Sequence, residues 1–311
     1  MLGKTANGLF WMSRYLERAE NTVRLIETGQ RIALTRLGDD AREWASILQS
    51  AGSYPAFMDA HGEVTKEAVI DWMLRDRENP SSIRTCIEAA RQNARLVRTA
   101  ITGEAWEAIN AAYMTANESL ARKVTERDLA EVLQRIRQGT ALVLGMILGT
   151  MMRNEIFDFL RIGTFLERAD YTARIIDVKY YVLLPSISAV GTMIDNVHWE
   201  SILRAVAGRG GFRMEYGAGG GPREIVHFLV LDRRMPRSLA FCAAKIEDNL
   251  RYLDPEGRSP TLRKVRALRA QYLSHDVAAI FDYGLHEFVQ SVLSVLGDIA
   301  AQIERDFRFY E

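Results

Sequence analysis

The chain has 311 residues, enough for one large domain or two ordinary ones and for a substantial buried core. Forty Lys and Arg balance forty Asp and Glu, so no global field draws the protein to nucleic acid or to an anionic membrane. Its two cysteines cannot build a disulfide framework, and neither lies in a CxxC or zinc spacing, which suits a reducing compartment.

The N-terminal stretch MLGKTANGLFWMSRYLERAE lacks the apolar core and cleavage site of a signal peptide, because Arg14, Glu17 and Arg18 interrupt its apolar residues; a cytoplasmic protein is expected. Leu9, Met12, Leu16, Ala19, Val23 and Ile26 alternate steps of three and four, the seam of a packed helix. At about 100° per residue, Glu17, Glu20, Arg24 and Glu27 share a stripe beside that seam, while Arg18 points away from it with Arg14 and Leu25. WASIL at 44–48 and AVIDWMLRD at 68–76 read as further helices. In DRENPSSIRTCIEAARQNAR, residues 76–95, Asn79 is the expected N-cap and Pro80 the expected first helical residue. Its seam runs through Ile83, Cys86 or Ile87, Ala90, Ala94, Val97 and Ile101. A long helix from Arg127 to about Met152 contains TALVLGMILGTMM, 13 residues at 140–152. A membrane span needs about 20 residues, so this run is expected to be a buried core helix.

From there the chain begins again. YLERAENTVRLIE at 15–27 returns as FLERADYTARIID at 165–177, with seven of thirteen positions identical and the sign of every charge kept. WASIL returns as WESIL at 199–203, and the 76–95 block returns as DRRMPRSLAFCAAKIEDNLR at 232–251. Three matches in one order, at offsets of 150, 155 and 156, predict a duplication. The expected fold is all-α: a single-domain helical bundle of two tandem pseudo-symmetric repeats, 1–155 and 156–311. In the second repeat GRGGFRMEYGAGGGP, Gly208 to Pro222, reads as a flexible connector. It has neither the Lys-Ser/Thr ending of a P-loop nor GxGxxG, although Arg209, Arg213 and Arg223 leave room for an anion contact. EIVHFLVLD at 224–232 is ambiguous in pattern and is taken as helix from its counterpart in the first half. A long helix from His275 to about Phe309 closes the chain.

The repeated helix carries the charges of interest. An i,i+4 pair such as Glu20 with Arg24, or Asp170 with Arg174, contributes only a few tenths of a kcal/mol on a solvated face. Such a face would let identities drift between copies, yet Glu17-Arg18 and Glu167-Arg168 are both kept. These groups are therefore expected either in a buried ionic network or lining a cleft. Other chemistries lack their signatures. Five histidines show no HExxH or ExxH spacing, so no metal is expected. Cys86 and Cys242 occupy matching seam positions as small buried residues, Asn93 and Asn249 are expected as buried polar anchors, and the adjacent pairs His275-Asp276 and His286-Glu287 diverge on a helix. No cofactor motif is present.

The doubled L-E-R-A-x-x-T-x-R helix, the NPSSI and MPRSL openings and the helical length closely resemble the bacterial alpha-E family across essentially the whole chain. The resemblance implies a setting. Alpha-E proteins are typically encoded beside, or fused to, circularly permuted ATP-grasp proteins, often with a transglutaminase-like protein, and ATP-grasp enzymes make amide-type bonds. Glu17, Arg18, Glu167 and Arg168 are this chain's copies of the family's Glu-Arg motif. Two readings follow. One is an accessory partner that docks on the ATP-grasp ligase or presents its peptide substrate, with Glu20, Arg24, Asp170 and Arg174 as contacts. The other is an enzyme in which Arg holds a carboxylate or phosphate and Glu is the general base on a peptide amine or amide. The mobile-looking glycine segment makes the second half, near Arg168 and Arg174, the expected functional copy.

Overall fold

In the computed structural model the backbone is described for residues 1–33, 40–182, 193–217 and 219–310, and side chains for 1–32, 41–177, 198–217 and 219–310. Every regular element among these residues is a helix. The first half holds α1 (Gly3–Ala33), α2 (Asp40–Ser50), α3 (Tyr54–His61), α4 (Lys66–Leu74), α5 (Ile83–Leu96), α6 (Gly103–Ser119) and α7 (Glu126–Thr150). The second holds α8 (Glu155–Val182), α9 (Met193–Ala205), α10 (Arg209–Tyr216), α11 (Pro222–Val230), α12 (Leu239–Leu253), α13 (Pro260–Tyr272), α14 (Val277–Tyr283) and α15 (Leu285–Asp306).

The two seams form the centre. Leu9, Met12, Ala19, Val23 and Ile26 in α1 are fully buried, as are Ile162, Ala173 and Ile176 in α8, and they belong to one contiguous apolar core. The helices α1 and α8 pack along each other. Each also receives helices from both halves: α5, α7 and α9 lie on α1, while α12, α15 and α2 lie on α8. This is why Leu25, on the face of α1 away from the seam, is only 2% exposed. Where a helix is enclosed on several sides, the charged residues of its buried stretch must be paired.

Close approach of the central pair depends on Gly163. A Cβ at that position would lie 2.3 Å from the Ser13 hydroxyl and 2.4 Å from the Phe10 carbonyl oxygen.

Several positions related by the sequence offsets carry the same local structure. Both α2 and α9 end in a left-handed residue, Gly52 at φ +67° and Ala207 at φ +54°. Beyond it Ser53 N–H donates to the Leu48 carbonyl, and Gly208 N–H to that of Leu203. Ser82 caps α5 by accepting from the Thr85 N–H, and Ser238 caps α12 by accepting from that of Phe241. The Cys86 and Cys242 thiols each sit 3.8 Å from the carbonyl of a preceding proline, Pro80 and Pro236.

Four sequence expectations are corrected. Asn79 does not cap α5, which starts later; its carboxamide instead folds the approach, accepting from Ser81 N–H at 2.9 Å and donating to the Trp72 carbonyl at 3.0 Å. The Gly208 to Pro222 segment is not one loop: α10 occupies Arg209–Tyr216, packed through Phe212 against Phe228, and residue 218 lies outside the described residues. The closing helix is broken at Gly284, where φ of +103° ends α14 before α15 begins. The apolar run of α7 is only half buried: Val143 and Ile147 face the core, whereas Leu142 is 47% and Met152 78% exposed. EIVHFLVLD does lie largely in a helix, α11.

Because the Gly163 contact is with backbone as well as side chain, Gly163→Ala is expected to force α1 and α8 apart and cost about 1–3 kcal/mol. A thermal melt should record a lowered midpoint with helical content retained. Gly145→Ala, at a position with open space beside it, should leave the midpoint unchanged or raise it.

A crosswise Glu-Arg exchange and an open cleft

The side chains of the repeated motif pair across the central helices. Arg168 of α8 holds Glu17 of α1 in a two-pronged contact, Nε to Oε1 at 3.0 Å and Nη2 to Oε2 at 2.7 Å. Arg18 of α1 holds Glu167 of α8 in the same way, Nε to Oε1 at 2.6 Å and Nη2 to Oε2 at 3.0 Å. Each Glu-Arg dipeptide thus gives its carboxylate to the other helix and takes the other's in return. Two planar forks on two carboxylates fix the register of α1 against α8 far more tightly than apolar contact alone.

Each exchanged pair has a third member, and the third members differ. Glu17 is also met by Arg237, from the turn before α12, at 2.7 Å. Arg237 goes on to donate to Glu20 and to the Asn21 side-chain oxygen Oδ1, each at 2.9 Å, and its own backbone carbonyl accepts from the Thr172 hydroxyl at 2.8 Å. Glu167 is met instead by Arg14, one turn earlier on α1, at 2.8 Å. The position matching Arg237 in the first half is Ser81, which reaches the Arg18 guanidinium only at 3.5 Å. Arg237 fills its side of the central pair and is 6% exposed. Ser81 leaves a cleft of about 240 Å³, lined among others by Arg18, Glu167, Asp170, Arg174, Asn21 and Ser53.

The stripe residues divide accordingly. Arg24 is held by Glu20 at 2.7 Å and Arg174 by Asp170 at 2.7 Å, both i,i+4 pairs, but Glu20 is locked by Arg237 whereas Asp170 and Arg174 border the cleft. Arg174 lies over Gly52, where a Cβ would stand 3.1 Å from its Nη1.

The electrostatics favour ionised groups throughout. Burial alone would raise the Glu17 carboxyl, but Arg168 and Arg237 outweigh it and hold it at about 2. Glu167 is likewise held below its usual value: burial opposes this, and Arg14 and Arg18 prevail. Burial pushes both thiols, Cys86 and Cys242, up to about 12, so neither is a nucleophile near neutral pH. A carboxylate whose proton leaves at about 2 is a poor proton acceptor, which weighs against Glu17 as a general base.

One known family covers almost the whole chain. A family described as a predicted alpha-helical domain with a conserved ER motif, Alpha-E, matches residues 1–307. The chain belongs to the Alpha-E family. No curated protein and no solved structure matches it. In this Alpha-E chain the two Glu-Arg dipeptides, 17–18 and 167–168, form an exchanged pair, with a buried network on one side of the central helices and a cleft on the other.

Several placements differ from expectation. Arg168, expected near a ligand of the second half, is buried against Glu17, while the cleft beside Arg174 is closed by first-half segments at Gly52 and Ser81. Arg18 and Arg14, expected on a face away from the carboxylates, meet Glu167 because α8 lies on that side of α1. Arg209 and Arg213 turn to Glu200. His286, expected to diverge from Glu287, instead meets Asp177 of α8, at 2.6 Å. The Alpha-E chain also contains a cluster that the sequence reading missed: Glu247, 3% exposed, surrounded by Arg251, Arg266 and Arg269. Among the described residues no group of three or more His, Cys, Asp and Glu is placed to hold a metal, and no helix is long and apolar enough to cross a membrane.

Two outcomes follow for the exchanged carboxylates. Glu17→Ala strands the nearly enclosed Arg168 and leaves Arg237 only Glu20 and Asn21, and should cost about 3–5 kcal/mol; Glu167→Ala strands Arg18 beside a cleft, where water can resolvate it, and should lower the melting midpoint less. The second outcome concerns acid. Because Glu17 titrates at about 2 in the fold against 4.5 ordinarily, its stabilisation is complete above 4.5 and is lost as pH falls towards 2. Denaturant unfolding of wild type and Glu17→Gln should therefore differ most above pH 4.5 and converge near pH 2.

Proposed function

We propose that this Alpha-E protein is an accessory partner of a circularly permuted ATP-grasp ligase in a bacterial peptide-bond-forming or peptide-modifying system, and that it presents the ligase's peptide substrate from the cleft beside Glu167. The observation that carries this reading is the asymmetry at Ser81 and Arg237. One side of the central pair is plugged by the protein's own guanidinium, and its counterpart is left open. A purely structural duplication has no reason to leave that space. The paired state of the carboxylates and the masked thiols favour binding over chemistry.

The wider context belongs to the same proposal. The chain is a single domain of two tandem pseudo-symmetric repeats, 1–155 and 156–311, supported by the matched helix ends, caps and thiol contacts. A transglutaminase-like protein is a further candidate partner, and a cytoplasmic setting accords with free, buried Cys86 and Cys242. Neither nucleic acid nor a membrane is a proposed partner.

The experiment is co-expression with a circularly permuted ATP-grasp protein, taken from beside the gene where one is encoded there. The two should co-purify, and adding this chain should change the ligase's rate or peptide choice, while the chain alone neither hydrolyses ATP nor joins peptides. Stand-alone turnover that disappears on Arg18→Ala would replace this reading with an enzymatic one.

A further inference from the structure

The cleft has a chemical preference that the exchanged pairs alone do not specify. Arg18 and Arg174 line the cleft together with Glu167 and Asp170, and Arg14 reaches Glu167 from outside the lining, so this ion-pair cluster keeps one positive charge in excess. Two polar atoms at its wall lack partners. Asn21 is 3% exposed, its carbonyl oxygen is taken by Arg237, and its Nδ2 donor has no acceptor; Ser53 is 8% exposed and its hydroxyl is unpaired. A buried amide donor without an acceptor costs about 1–3 kcal/mol, so its retention at a cleft points to a bound acceptor. Arg18 spends two of its donors on Glu167 and has only the long Ser81 contact for a third.

The requirement is therefore for an anionic acceptor, not a cation. An ammonium or guanidinium would add to the surplus charge and leave the Asn21 amide unmet. Size narrows the choice. About 240 Å³ is below the roughly 300–1,000 Å³ of ordinary small-molecule clefts, too little for a nucleotide and suitable for one residue of a peptide. Leu25 and Met73 add an apolar wall against which that residue's carbon atoms can lie.

We propose that the cleft binds a peptide carboxylate, received by Arg174, Arg18, the Asn21 amide and the Ser53 hydroxyl. This rests on the substrate-presenting reading above and narrows it to the anionic group that is held. Arg237 supplies the means of testing it, because the same fold already accommodates an arginine at the position matching Ser81.

Isothermal titration of the full chain, without ligase, would use three probes: an N-acetylated tripeptide with a free C-terminal carboxylate, the same tripeptide as its C-terminal amide, and an amidated tripeptide whose last residue is glutamate. At least one carboxylate probe should bind tenfold or more tightly than the neutral amide, and the better of the two identifies a chain end or an acidic side chain as the source. Ser81→Arg should abolish that binding with the melting midpoint kept; Arg174→Gln should weaken it at least fivefold and serves if Ser81→Arg does not fold. Equal binding of acid and amide, no binding of any probe at millimolar concentration, or undiminished binding by the variants would overturn the proposal. Failure here with intact ligase co-purification removes the carboxylate site and leaves the partner reading standing.

Discussion

The structure depends on one constraint: two carboxylates, Glu17 and Glu167, are buried between α1 and α8, so their charges must be met by guanidiniums rather than by bulk water. Removing such groups from water costs several kcal/mol each, and only a close, two-pronged geometry offsets that cost. The exchange of Glu17 with Arg168 and of Arg18 with Glu167 provides that geometry and permits very little sliding. The other helices are arranged around a pair whose register is already fixed. The same enclosure explains why the motif is a dipeptide. Adjacent residues on a helix diverge by about 100°, so a Glu and an Arg in sequence cannot satisfy each other and must each find a partner on a second helix.

The difference between the two sides arises from one residue in a turn. Arg237 completes a network in which Glu17, Glu20 and Asn21 are all answered. Ser81 is too short to do so, and Arg14 compensates the charge of Glu167 from behind without filling the volume. Pairing of the carboxylates and filling of space are thereby separated: the first is achieved on both sides and the second on one. An open volume whose carboxylates are already paired is a binding surface that costs the fold little.

Much of the fold was legible because seam residues such as Ala19, Ile26, Ala169 and Ile176 obey a helical period, and burial follows from period alone. The doubled motif also identified the residues that matter. What could not be read was which face of α1 receives α8. Arg18 and Arg14 were assigned away from the carboxylate stripe, correctly for one helix, but their partner Glu167 comes from the other. The Ser81 and Arg237 difference was one of thirteen between the aligned twenty-residue blocks, and its meaning required knowing that both turns approach the central pair. Local turn chemistry also misled. Asn79 before Pro80 has the form of a helix cap, but its carboxamide is used to tie the turn to Trp72, and Ser82 starts the helix. The glycines at 208–221 suggested a loop, whereas Phe212 gives α10 enough buried surface to form.

The crosswise pairing has a consequence for cooperativity. Neither half of the chain is electrostatically self-sufficient: the residues before α8 contain Glu17 without Arg168, and those after α7 contain Glu167 without Arg18. If one half opened while the other stayed folded, the folded half would be left with a stranded ion at its heart. Partial unfolding is thereby penalised on both sides at once, and a chain large enough to melt in stages is tied into a single all-or-none unit by two ion pairs placed where its halves meet.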